Sequence, residues 1–378
     1  MDIRRRSIGR ISGALILGVF AVAAAAHDDN RHDDNRNNDF RLQTYSNHVL
    51  VSDGNVAADF TDPNLANGWG VAFNPNGPVW VAANGTGKST LYDGTGKPQP
   101  LVVTIPGVGG EDGTPTGIVF AGGNDFVVSM TTASGTVSGP ARFIFSTEDG
   151  TIAGWAPNVN VTTAITVPTP ATNANYKGLA LGGNGATHLL YAADFRNNRV
   201  DVFDGTFKPV MKRGAFVDPM LPRGYAPFGI QAILGDIYVT YAKQDPAGGD
   251  DEVAGPGLGF VDVYTPDGVL LDRLASRGVL NAPWGVALAP MSFGDFGGAI
   301  LVGNFGDGTI NAFDPRNGHF LGTLRDRSLR RIRVDGLWGI AFGNGVSAQK
   351  TGSLYYAAGP NDEENGTYGV IEPVAKRH

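Results

Sequence analysis

The sequence contains no cysteine, few charged residues and no excess of basic ones. Without cysteine, the chain has neither a disulfide nor a thiolate that acts as a nucleophile or a soft metal ligand. Only 17% of the 378 residues are charged, and the formal net charge is −7. This charge gives no general attraction for nucleic acid or for anionic membranes, so we expect neither as a partner.

Two motifs of hydrolytic enzymes are also missing. The chain has no Gly-x-Ser-x-Gly nucleophile elbow and no His-Glu-x-x-His zinc motif. It is rich instead in glycine, with 55 residues, and 42% of its residues are hydrophobic. This combination predicts a folded, turn-rich all-β protein.

The N-terminus has the order of a signal peptide. Arg4, Arg5 and Arg6 precede an apolar run at residues 11–26 that ends in three alanines. We expect cleavage after Ala26 and export to the periplasm or the extracellular space, by either the general or the twin-arginine route. The run is too short to serve as a permanent span, so the mature chain is predicted to lack one. Residues 27–39 are a low-complexity tail, interpreted either as a solvated spacer or as a weak tether for divalent metal.

A short phrase, a glycine followed by alternating apolar residues, occurs six times at intervals of roughly 50 to 60 residues, the period of a propeller blade with its loops. It predicts a six-bladed β-propeller over residues 40–378. The phrase begins at Trp69-Gly70, Thr116-Gly117, Lys177-Gly178, Phe228-Gly229, Trp284-Gly285 and Trp338-Gly339.

The remaining strands follow each phrase in order. In blade two we assign residues 126–130 as the second strand and 143–145 as the third, with a turn at Asp149-Gly150 before the fourth. Blade six lacks a fourth strand after Val370-Ile371. Residues 44–51 are the natural donor, and this N-terminal strand would close the ring and remove its open edges.

The residue before each repeated glycine is predicted to face the mouth of the central channel. Three of the five tryptophans occupy this position, which favours an aromatic-lined pocket for a ligand, although tryptophans that pack between blades would give the same pattern. The candidate ligand-binding residues are Trp69, Lys177, Phe228, Trp284 and Trp338.

Polar residues end several of the second strands on the same face. Asn84, Asp194 and Asn304 would offer oxygen ligands to a hard cation such as Ca²⁺, or they would cap the loops that follow. Acidic residues in the connecting loops, including Asp251, Glu252 and residues 362–364, would attract a cation or a cationic ligand to this rim.

The glycine phrase, the Asn281-Ala282-Pro283-Trp284-Gly285 lead-in and the Asp-Gly turns resemble six-bladed propellers of the NHL-repeat and gluconolactonase/senescence-marker-like groups. Asn67-Gly68-Trp69-Gly70 with Pro78-Val79-Trp80 is similar to an uncharacterised family of exported bacterial propellers. The lactonase-like resemblance implies a divalent cation in the channel, with Asn84, Asp194 and Asn304 among its ligands. The glutamate expected at the start of the first blade is missing, since Asn67 and Trp69 occupy that region.

Three functions remain open at this point. The first is an exported propeller that binds a small molecule, a polymer segment or a protein at its mouth. The second is a Ca²⁺-dependent lactone or ester hydrolase. The third is a structural or surface-assembly protein. Catalytic residues are not assigned from the sequence.

Overall fold

A computed structural model describes residues 43–168, 173–185, 187–210, 213–246 and 248–375. The predicted signal peptide at 1–26 and tail at 27–39 lie outside these ranges. The described residues form strands and three short 3-10 turns, at Asn84–Thr86, Val108–Gly110 and Gly294–Phe296, and no α-helix. Within these ranges, no helix is long and apolar enough to cross a membrane.

Six antiparallel sheets form the blades of a six-bladed β-propeller, as the repeat predicts. The chain opens with β1 (Tyr45–Ser52) and β2 (Phe60–Thr61), and blade one follows with β3 (Gly68–Phe73), β4 (Val79–Ala83), β5 (Lys88–Tyr92) and β6 (Val103–Thr104). Blade two contains β7 (Pro115–Phe120), a separate hairpin of β8 (Val127–Thr132) and β9 (Gly135–Pro140), then β10 (Phe143–Thr147), β11 (Ile152–Trp155) and β12 (Ile165–Val167). Blade three contains β13 (Tyr176–Gly183), β14 (His188–Asp194) and β15 (Arg199–Asp204).

The second half of the ring repeats this arrangement. Blade four contains β16 (Tyr225–Ile233), β17 (Asp236–Gln244), a short β18 (Glu252–Val253) paired to β17, β19 (Phe260–Tyr264) and β20 (Leu270–Ser276). Blade five contains β21 (Pro283–Leu288), β22 (Ile300–Asn304), β23 (Ile310–Phe313) and β24 (Phe320–Thr323). Blade six contains β25 (Leu337–Phe342), β26 (Leu354–Ala358) and β27 (Thr367–Pro373).

The N-terminal strand closes the ring. β1 pairs antiparallel with β27, with His48 opposite Val370, and supplies the strand that blade six lacks. The predicted closure by residues 44–51 is confirmed. It covers the outer edge of the last blade with main-chain hydrogen bonds, so that edge is not left open for pairing with another chain.

The six repeated glycines hold the first strands against one another around the axis. A Cβ atom added at Gly70 would lie 2.6 Å from the carbonyl oxygen of Thr116 in blade two, and one added at Gly285 would lie 2.6 Å from that of Trp338 in blade six. Each of the other four repeated glycines also meets the backbone of the next blade, so the contact runs once round the ring. Glycine is therefore required where neighbouring backbones approach this closely.

The assignment of strands within blade two is wrong in the prediction. The second strand is β10 and the third is β11, so Asp149-Gly150 joins these two rather than the third and fourth. Residues 126–130 belong mostly to the outlying β8–β9 hairpin. The burial pattern gives the reason: every residue of β10 is buried, as an inner strand between two blades requires, whereas β8 exposes Val127 and Ser129.

Candidate functional site

The predicted mouth residues close the channel with a cluster of aromatic rings. Trp69 stacks on Trp338 with 3.5 Å between ring centroids, and Trp284 meets both rings edge-on. Phe228 and Phe305 also pack on Trp338. Trp69, Trp284, Trp338 and Phe228 are all buried, so in this conformation they contact one another and form the floor of the mouth rather than the walls of an open pocket.

The backbone places Trp69, Phe228, Trp284 and Trp338 together because they occupy one repeat position in different blades, and Phe305 joins them from the end of β22. The indole N–H of Trp284 crosses the axis and donates a hydrogen bond to the carbonyl oxygen of Lys177, at 2.9 Å. Blades three and five are thereby joined through the cluster. We call Trp69, Phe228, Trp284, Phe305 and Trp338 the aromatic floor.

Lys177, the charged member of the repeat position, lies over this floor. Its ammonium nitrogen is 5.3 Å from the centre of the Trp69 ring, within the range of a cation–π contact. The same nitrogen lies 2.6 Å from the Glu148 carboxylate and 3.9 Å from that of Asp251. Only 3% of the side chain is exposed. Burial alone would lower the pKa of Lys177, but Glu148, Glu252 and Asp251 raise it overall, so the ammonium stays charged.

Two asparagines extend this ion pair into a network. The side-chain amide of Asn84 donates to Glu148 at 2.9 Å. Asn67 donates to the side-chain oxygen of Asn84 at 3.3 Å and to Glu363 at 3.0 Å. Trp338 donates its indole N–H to the same Glu363 oxygen at 3.2 Å. The network therefore joins blades one, two, three and six.

A loop of blade four covers Lys177. Asp250 forms a two-pronged ion pair with the guanidinium of Arg196, which lies after β14 in blade three. The backbone of Glu252 returns to pair with Gln244. The loop between these two points brings Asp251 and Glu252 to the ammonium. We call residues 248–252 the covering loop.

Burial shifts the acids around the mouth toward their protonated forms. Removal from water raises the pKa of Glu252 to about 7, with Lys177 opposing the rise. Burial also raises the pKa of Glu363, although hydrogen bonds from Asn67 and Trp338 act in the other direction. A carboxyl group that titrates near neutral pH beside a fixed ammonium is suited to bind a ligand or to exchange a proton with it.

Two polar atoms in the site have no hydrogen-bond partner among the described residues. They are the indole nitrogen of Trp69 and the side-chain oxygen of Asn67, and both side chains are buried. An unpaired buried donor or acceptor is costly. A ligand that supplies an acceptor to Trp69 would remove part of this cost.

The three predicted metal ligands lie in separate networks. Asn84 belongs to the network around Lys177. Asp194 accepts hydrogen bonds from Asn175 and Asn197 and forms an ion pair with Arg199. Asn304 accepts a hydrogen bond from the backbone of Asn281 and donates one to the carbonyl oxygen of Val279.

No hydrogen bond or ion pair of the described chain joins the three, and the described residues contain no group of three His, Cys, Asp or Glu side chains arranged to hold a metal ion. These contacts do not bring the three residues together, and a Ca²⁺ site formed by Asn84, Asp194 and Asn304 stays a prediction.

Glu148 is the central residue that sequence reasoning missed. It follows β10 directly, at the position that Asn84 occupies after β4. Because the second strand of blade two was assigned to residues 126–130, Glu148 was not among the polar residues expected to end a second strand. The fully apolar run Phe143-Ile144-Phe145 was the available signal.

Comparison with known proteins identifies relatives and a shared fold. No family model matches the chain. An uncharacterized protein of Acanthamoeba polyphaga mimivirus is 33% identical over 305 residues, which are 79% of this chain and 74% of the relative. A second uncharacterized protein of the same virus is 32% identical over 335 residues, 87% of this chain and 86% of the relative.

Solved structures with similar architecture include streptogramin B lyase, with a TM-score of 0.51 and 14% identity over 88% of this chain and 98% of the lyase. Virginiamycin B lyase from Staphylococcus aureus has a TM-score of 0.50 and 11% identity over 88% of this chain and all of the lyase. At these identities the likeness concerns the fold alone.

Proposed function

We propose that this chain, which belongs to the family that includes these two mimivirus proteins, is a binding protein that takes its ligand at the mouth of the ring. The observation that carries this proposal is the Lys177 ammonium, buried against Glu148 and over Trp69 beneath a loop that ion pairs hold in place. Such a charged group is expensive to bury and is a common feature of binding sites.

Among the three ligand classes expected from the sequence, the geometry favours a small molecule or a single side group of a polymer. The network around Lys177 is enclosed by the covering loop and the aromatic floor, whereas a flat protein partner would meet only the outer surface of the loop. Access requires the covering loop to move, because Lys177 and Trp69 are both buried.

Ligand-observed NMR with a library of small polar compounds tests this function. Compounds that bind the full chain are retested on Lys177→Met and on Leu181→Met. Leu181 lies four residues further along β13 and outside the network, so its variant is the matched control. We expect binding to be lost in the first variant and kept in the second. Equal binding by both variants would place the ligand elsewhere.

A Ca²⁺-dependent lactone or ester hydrolase is the second candidate. Asn84, Asn67, Glu148 and Glu363 supply oxygen atoms within one network, which favours a hard cation if Lys177 moves aside. A thermal shift with Ca²⁺ and with chelator, followed by a panel of lactones and esters, tests it. A melting temperature that responds to neither reagent would contradict this candidate.

Export is also part of the proposal. It is supported by the arginines and the apolar run at residues 4–26. Cell fractionation with N-terminal sequencing tests it, and the expected mature chain begins at His27.

A further inference from the structure

A short arginine-rich segment stands out against the acidic chain. Residues 325–333 contain five arginines, at 325, 327, 330, 331 and 333, in a protein whose formal net charge is −7. The segment connects β24 of blade five to β25 of blade six. The formal net charge of the whole chain does not reveal such a local cluster of arginines.

The backbone of this segment is held in a tight turn. Arg325 and Arg331 form an antiparallel bridge. The Asp326 carboxylate accepts hydrogen bonds from the backbone N–H groups of Ser328 and Arg330, at 2.8 and 3.0 Å. Ile332 is buried and anchors the turn in the core between blades five and six. The arginine side chains therefore project from a fixed backbone, and the acid of the turn is engaged by that backbone.

Three of these arginines are available to a ligand. Arg327, Arg330 and Arg331 are exposed, and none of them forms an ion pair with a carboxylate in the described ranges. Arg333 differs, since it donates to the carbonyl oxygen of Asp307 at 2.8 Å. Exposed guanidinium groups that are not engaged in ion pairs are available to bind anions.

These arginines border a recess of 550 Å³ in the outer wall of the ring. The other side of the recess is the start of β1, where Ser46 and Asn47 line it. Ser328 adds a further hydroxyl. The recess thus combines guanidinium groups with neutral hydrogen-bonding side chains and with one carboxylate, that of Asp326, which is bonded to the backbone of the turn.

We propose that this recess binds the oxyanion groups of an anionic polysaccharide, with sulfate or carboxylate on a hydroxyl-rich chain. Guanidinium groups bind such oxyanions through paired hydrogen bonds. Ser46, Asn47 and Ser328 suit the sugar hydroxyls. The positive area is confined to one turn of an acidic protein, so it suits a short stretch of a single narrow chain better than a flat membrane surface or a nucleic-acid duplex, which would also meet the acidic surface around it. This site is independent of the mouth of the ring.

Calorimetry of the full chain with a heparin oligosaccharide and with an oligogalacturonate tests the proposal. We expect binding of at least one of them at low salt, weakened at least about tenfold in Arg330→Ala/Arg331→Ala and weakened by added salt. Arg331→Lys keeps the positive charge but loses the planar guanidinium group with its paired N–H donors, so we expect an intermediate affinity. Lys97→Ala/Lys208→Ala removes two exposed positive charges from the turns of blades one and three and is the control, with affinity unchanged.

Neutral dextran, phosphatidylglycerol vesicles and a DNA oligonucleotide complete the experiment. Failure of both anionic oligosaccharides to bind would overturn the proposal, as would unchanged affinity in the double arginine variant. Equal or tighter binding of dextran, the vesicles or the DNA would also overturn it. None of these outcomes bears on ligand binding at Lys177.

Discussion

The two ends of the central channel are built from the same six strands but differ in chemistry. At the mouth, four of the residues before the repeated glycines form the aromatic floor together with Phe305. A fifth, Lys177, is enclosed by carboxylates and amides. At the far end, the residues after the glycines line an open cavity of 440 Å³ whose side chains, apart from Gln231, are apolar and include Phe73, Phe120 and Phe342, although polar atoms also contribute to its surface. Repetition therefore builds the ring, and variation at one position of the repeat gives the mouth its polar site.

The first prediction disrupts the close backbone contact between the first strands of neighbouring blades. Gly229→Val places side-chain atoms against the carbonyl of Trp284, where no change of rotamer relieves the overlap. We expect a loss of about 4 kcal/mol or more in the free energy of unfolding. Urea denaturation measures it, with Gly248→Ala as control because nothing lies within 4 Å of its added Cβ. A loss of less than 1 kcal/mol, roughly the size of an ordinary surface change, would mean that the strands can separate freely.

The second prediction removes a charged group at the mouth and leaves the far end of the channel unchanged. Lys177→Met removes the cation from Glu148 and leaves the neighbouring carboxylates uncompensated, which should cost about 3 kcal/mol at pH 8. Chemical denaturation of this variant and of Leu181→Met measures the difference between the two ends of one strand. Similar losses in both variants would contradict the contrast between the ends.

The third prediction concerns pH at the mouth. The folded-state pKa of Glu252 is raised to about 7, so its contribution to stability is present below about pH 4.5 and is lost as pH rises through 7. Lys177, Asp251 and Glu363 act on this carboxyl group, and the ammonium of Lys177 opposes the rise. Glu252→Gln should remove on the order of 2 kcal/mol of pH dependence between pH 4.5 and 8. Denaturation curves across this range test it, and an unchanged pH profile would argue against a buried carboxyl group here.

The fourth prediction concerns the far end. Phe342→Ala deletes a half-buried ring that packs edge-on against Phe293 but faces the open cavity on its other side, so we expect a loss of about 1 to 2 kcal/mol, less than for a fully buried ring. Ligand binding at the mouth should be unchanged. A loss as large as that of Lys177→Met would show that the far end is packed more tightly than the open cavity indicates.

The ring was predictable because its causes are local and repeated. Each glycine phrase marks a first strand, and the missing last strand of blade six identified residues 44–51 as its partner. Asn84 and Lys177 were placed on the mouth by the same logic.

The side-chain contacts between blades were beyond sequence reasoning. The pairing of Lys177 with Glu148 depends on an inserted hairpin that shifts the strands of blade two, and its approach to Asp251 depends on a loop from blade four. The stacking of Trp69 on Trp338 requires the closed ring, since these residues belong to the first and last blades. Repeat spacing gives the face on which a residue lies, but it does not give the partner that it meets there.

The side-chain ammonium resonance of Lys177 offers the most direct test of the mouth as a ligand site. In ¹⁵N-lysine-labelled protein, a compound from the library should shift this signal as it binds, while the signals of exposed lysines such as Lys97 and Lys208 stay in place. Binding that leaves the Lys177 signal unmoved would contradict the central claim, and would leave the lysine as part of the packing of the ring.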